Sequence, residues 1–161
     1  MRKSPAPSLL KAILVGGVLA AVLDILDPIL FFYFRNHLDP IRIPQSIASG
    51  LLGRNAYAGG LNTALLGLAL HLFIALVWAT VFVLAARTLP FLTKHPIRSG
   101  LFYGAIIYIV MNYLVLPHSR VAPSRPATSI LINGIFACLV LVGLPISLSN
   151  LRFAPPPRLS S

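Results

Sequence analysis

The chain has 161 residues, of which 57% are hydrophobic and only 10% charged. Soluble domains carry about 25% charged residues, so this composition cannot cover a water-facing surface, and its mean hydropathy of +0.87 points to an integral membrane protein. The net charge of +10 does not mark a nucleic-acid binder, because the cations stand singly between apolar blocks and form no stripe that could track phosphates; they suit the flanks of membrane spans, where they meet anionic lipid.

The N-terminus, MRKSPAPSLLK, is basic and leads into an apolar run, as in a signal peptide. That run continues past the ~7–15 residues of a signal h-region, and three further apolar blocks follow, so an uncleaved first span behind a cytoplasmic tail of residues 1–11 is expected. The first block runs from Ala12 to Phe34 and contains VLAAVLDILDPILFFYF, with two acids and a proline inside it. Fourteen Leu, Ile, Val or Phe residues lie between positions 12 and 34. At roughly 0.3–0.6 kcal/mol each they favour insertion by about 6 kcal/mol, and two central aspartates at roughly 2.5–3.5 kcal/mol each nearly cancel that gain. The chain has no Glu, and its three acids, Asp24, Asp27 and Asp39, fall in one short window.

The first connection, IRIPQSIASGLLGR, reads as a short amphipathic helix over residues 43–53. Pro44 suits a first helical turn, Ile43, Ile47, Ala48, Leu51 and Leu52 fill one half of the wheel, and Gln45, Ser46, Ser49, Gly50 and Gly53 fill the other. About three turns cannot span a bilayer, so the segment either lies in the interface with its apolar side in lipid or re-enters to line a cavity. Three more spans follow, at about Leu61–Ala86, Gly100–Leu116 and Thr128–Leu148, the third only marginally long. Prolines at 40, 44, 90, 96, 117, 123 and 126 punctuate the connections. Residues 12–150 form one four-span domain in this reading, and residues 151–161 a disordered tail.

Small and polar residues recur on one face of each span. Gly17, Ala20, Asp24 and Asp27 do so in the first; Gly59, Thr63, Gly67, His71, Ala75 and Ala79 in the second; Gly100, Gly104, Tyr108 and Asn112 in the third. In the fourth, Asn133 precedes Ala137 by four residues. Small residues let helices approach closely, so these faces should turn inward, with Gly17, Ala20, Gly59, Thr63, Gly67, Gly100 and Gly104 as the packing positions. Depth sorts the polar members. Asp24 lies ten residues before Phe34 and His71 ten after Leu61, so antiparallel neighbours would hold both about 15 Å down, near the midplane. Asp27, Asn112 and Asn133 would form a shallower layer on the same side. Two readings of this buried cluster stand: a satisfied pair that fixes helix register, or a proton- or cation-responsive site. Pro28 would free the Asp24 carbonyl to accept from a neighbour.

Lys and Arg number eight on one side (Arg2, Lys3, Lys11, Arg87, Lys94, Arg98, Arg152, Arg158) and five on the other (Arg35, Arg42, Arg54, Arg120, Arg125), which favours cytoplasmic termini. No hydrolase, Walker or CxxC motif is present, so no enzyme, metal or cofactor is expected. His37, His95 and His118 read as solvated interfacial residues, Trp78 as a packing or lipid-facing residue, and the lone Cys138 permits no intrachain disulfide.

The runs LDILDPILFFYF, IRIPQSIASGLLG, GGLNTALLGLALHLFIALVWATVFVLAAR, LPFLTKHPIRSGLFYGAIIYIVMNYLVLP and VGLPISL resemble a group of small bacterial four-span membrane proteins of unknown function, over about residues 12–150. More distantly, the block from His71 to Pro117 is similar to the YagU-type inner-membrane proteins. The resemblance implies a bacterial inner-membrane address and brings no site residues with it. The expected fold is all-α: four transmembrane helices plus one short amphipathic or re-entrant helix between the first two. The expected function is a membrane protein with an Asp/His/Asn cluster for proton or small-solute handling. Its rival is a structural or assembly subunit working through helix contacts. The expected partners are the bilayer, anionic lipid at the basic flanks, and further copies of the chain.

Overall fold

The computed structural model describes residues 8–122 and 126–156. Arg2, Lys3, Pro123, Arg125 and Arg158, used above for orientation and punctuation, lie outside the described residues, as does the tail from 157 onward. The chain is all-helical, with no strand among the described residues, and four helices are long and apolar enough to cross a membrane: Leu9–Asn36, Gly60–Thr88, Pro96–His118 and Thr128–Phe153.

Helix α1 (Leu9–Asn36) begins a turn earlier than hydropathy suggests, because Ser8 caps it. The Ser8 backbone is extended and its hydroxyl accepts from the Lys11 N–H at 3.3 Å. It ends in a left-handed turn at His37 (φ 51°), whose N–H returns to Tyr33 while that of Leu38 returns to Phe32. Helix α2 (Arg42–Leu52) and a tight 3₁₀ stretch (Gly53–Ala58) lead into α3 (Gly60–Thr88). After the short α4 (Phe91–Lys94), α5 (Pro96–Val110) starts on its own proline, a favoured first position. That start adds about a turn to the span that looked marginal. The fourth span comprises α6 (Thr128–Phe136), a widened stretch, and α7 (Leu144–Phe153).

Both later spans widen into π-helical turns, at Met111–Val115 and at Ala137–Gly143. Each widened stretch ends two residues before a proline, Pro117 and Pro145. A helical proline lacks the N–H and crowds the carbonyl four residues back, here Tyr113 and Leu141, and a wider turn relieves that clash.

Packing is concentrated toward the chain termini. There Ala20, Ala79, Phe82, Tyr103, Val142 and Ile146 belong to one buried cluster, and the Tyr103 hydroxyl donates to the Trp78 carbonyl at 2.7 Å. Trp78 and Tyr103 meet edge to face, which gives Trp78 its packing role. Glycines set the close approaches. A Cβ on Gly17 would strike Leu76 of α3, one on Gly104 the Cys138 carbonyl, and one on Gly143 the Gly100 carbonyl. In lipid such backbone approach replaces the missing hydrophobic drive between helices. The other half of the bundle is different: α1 has no buried residue after Ala21, and α6 and Met111–His118 have none.

Helix α2 does not lie free in the interface. Its buried side is Ile43, Pro44, Gln45, Ala48 and Ser49, which straddles the two halves of the wheel, while Leu51 and Leu52 stay exposed at 54% and 38%. The reason is Gly67 of α3, where a Cβ would overlap the Pro44 carbonyl, so the backbones touch. Gly59 and Thr63 were expected to pack helices and do something else. The atoms nearest an added Cβ on Gly59 are those of Thr63 of the next turn, and the Thr63 hydroxyl donates toward the Ala56 carbonyl at 2.6 Å and lies 3.1 Å from that of Gly60, tying the 3₁₀ stretch to the start of α3.

Candidate functional site

Helix α1 presents Asp24 and Asp27 one turn apart on one broad face, about 60° from each other, and a different neighbour meets each. On one side His71 of α3 stands 3.8 Å from the Asp24 carboxylate, the level that residue counting places it at. Its Nε2 also lies 3.0 Å from the Ala21 carbonyl. A carbonyl only accepts, so Nε2 carries the hydrogen and donates to it. The carbonyl contacted is therefore that of Ala21, not the Asp24 carbonyl that Pro28 crowds. On the other side the Asn133 amide of α6 donates to the Asp27 carboxylate.

Two expectations need correction. The cluster is not buried: His71 and Asp24 keep 15% and 30% of their side-chain surface, and Asp27, Asn112 and Asn133 are likewise half-exposed. Its cause is the sparse packing of this half, where α1 after Ala21, α6 and Met111–His118 have no buried residue. Asn112 does not join Asp27 either. It sits in the widened Met111–Val115 turn, and its amide donates back to the Tyr108 carbonyl of its own helix at 2.9 Å.

Between α1 and α6 lies an open groove of about 480 Å³, lined by Asp27, Leu30, Phe31, Phe34, Arg35 and Asn133. At its outer end Arg35 donates to the Ser129 hydroxyl at 2.8 Å and lies over the Phe31 ring. Two polar bridges thus span a gap that apolar side chains leave open. Periodicity did not reveal Arg35 or Ser129; the signal was their position at the facing ends of adjacent spans. Gln45 was read only as part of a polar wheel half. It is buried, its Nε2 donates to the Gly60 carbonyl at 3.0 Å, and its Oε1 meets no donor among the described residues.

Among the described residues, no three His, Cys, Asp or Glu side chains stand together as metal ligands would. His118 bonds the Leu114 carbonyl of its own helix at 2.6 Å. No family model, curated protein or solved structure matches the chain. The fold defines a polytopic membrane protein, and the particular role rests on the site.

Proposed function

We propose that the chain handles a proton, or a small polar solute moving with one, at the Asp24–His71 and Asp27–Asn133 pairs, without making or breaking a covalent bond in a substrate. The observation that carries this reading is the 3.8 Å approach of His71 to Asp24 inside the apolar part of two spanning helices. Intramembrane Asp and His pairs are the usual parts of proton relays. The groove to Asp27 and Asn133 supplies an approach from the half that carries Arg35. The titratable groups interacting with Asp24 are His71 on α3, Asp27 on α1 and Cys138 on the fourth span.

The location in this proposal is a bacterial inner membrane with both termini cytoplasmic, supported by the resemblance and by the eight-to-five cation bias. Four spans are few for a complete transporter, so more than one copy would form the working unit. The rival role, a subunit acting through small-residue faces, has less support, because Gly17, Gly67, Gly100 and Gly104 are already occupied within the chain.

The test is proton flux into liposomes holding the purified protein and a trapped pH dye, driven by a potassium diffusion potential. Wild type should exceed protein-free liposomes, and Asp24→Asn and His71→Ala should each abolish the excess while keeping the thermal midpoint. No excess flux in wild type, or full flux in both variants, refutes the proposal and leaves a packing role.

A further inference from the structure

At the opposite end of α1 a second groove, of about 540 Å³, runs between α1 and the fourth span. Its walls are aliphatic, including Val15, Leu19 and Leu23 on α1 and Val140, Leu144 and Leu148 opposite, and it ends at Arg152 and Phe153. From Lys11 to Leu23 is about 18 Å along the helix, close to the ~15 Å hydrocarbon depth of one leaflet. The mouth is cationic. The Lys11 ammonium lies 4.9 Å from the centroid of the Phe153 ring and the Arg152 guanidinium 5.7 Å from it. That mouth is also fixed, because the Ser8 N–H donates to the Phe153 carbonyl at 2.7 Å and so ties the start of α1 to the end of α7. The acids of the chain are Asp24, Asp27 and Asp39, all beyond the deep end of this groove. No acidic side chain of the sequence therefore competes for the two cations.

We infer that this groove holds an anionic phospholipid, with one acyl chain along α1 and the fourth span and the headgroup phosphate between Lys11 and Arg152. Charge complementarity at the mouth and a match in length to one leaflet select this occupant over a helix of a second copy. An apolar helix would fill the walls and leave two cations unanswered. The site is separate from the acidic pairs, and neither proposal depends on the other.

Native mass spectrometry of the detergent-purified chain, titrated with phosphatidylglycerol and with phosphatidylcholine of the same acyl composition, tests it. Wild type should retain phosphatidylglycerol preferentially. Lys11→Gln and Arg152→Gln should each weaken that binding about fivefold, and the double variant about thirtyfold, at roughly one juxtamembrane cation's contribution apiece. A charge-matched Lys94→Gln/Arg98→Gln variant, at the same end but outside the groove, should bind as wild type does. Equal loss in both double variants would mean a diffuse basic surface and overturn the site. So would absence of headgroup preference in wild type, or a dimer that phosphatidylglycerol does not dissociate. If the double variant unfolds, the two single variants carry the comparison.

Discussion

The contact between the third and fourth spans makes the sharpest stability prediction. A Cβ on Gly104 would overlap the Cys138 carbonyl oxygen and stand 2.6 Å from the Leu139 Cα. These are backbone atoms of a facing helix, so relief requires moving the helix, not a rotamer. Overpacking of this kind costs about 1–3 kcal/mol or more, against a helix-propensity gain of about 1 kcal/mol for replacing glycine by alanine. Gly104→Ala should therefore destabilise by up to about 2 kcal/mol, a fall of as much as roughly 8 °C in thermal midpoint for a chain of this size. Gly134 is the internal control. Its nearest neighbour to an added Cβ is the Tyr108 ring edge at 3.6 Å, ordinary contact, so Gly134→Ala should stabilise by about 0.5–1 kcal/mol. Thermal unfolding of the two variants in one detergent separates them. If Gly104→Ala melts at or above Gly134→Ala, the close backbone crossing is not what holds these two spans.

Three further outcomes are expected. Tyr103→Phe keeps the ring against Phe82 and Trp78 but removes the bond to the Trp78 carbonyl, so the midpoint should fall by only about 1–3 °C, from about 0.6 kcal/mol for such a bond in a membrane. Gly67→Val should push α2 off α3, read as faster hydrogen exchange at residues 43–49 with the four spans still protected. His37 holds φ 51° at the end of α1, a conformation that costs a side chain about 1–2 kcal/mol, so His37→Gly should raise the midpoint by a few degrees.

The four spans were legible because length and apolarity alone define them, whereas their ends were set by single residues that hydropathy averages away, Ser8 and Pro96. The Asp24–His71 approach was legible because both helices are regular between the membrane surface and those residues, so counting at 1.5 Å per residue gives depth. Counting failed for Asn112 because the turn that carries it is widened, which changes its phase relative to Gly100 and Gly104. The buried side of α2 was not legible from a wheel. Gly67 chose it, and a wheel contains no partner.

The two halves of the bundle differ in what joins them, and the difference bears on why the acids are there. In the packed half, glycine and alanine bring backbones together and no ionisable side chain is needed. In the open half, α1 and α6 are bridged by Asp27–Asn133 and Arg35–Ser129. Bridges of this type return about 0.6 kcal/mol each on average. Two aspartates within the apolar span cost roughly 5–7 kcal/mol to insert in charged form. The two contacts that involve the aspartates, Asp27–Asn133 and Asp24–His71, recover about a fifth of that. An alanine or leucine pair would hold the same helices at lower cost, so stability does not account for Asp24 and Asp27. The proposed handling of a proton at that depth would account for the remaining cost.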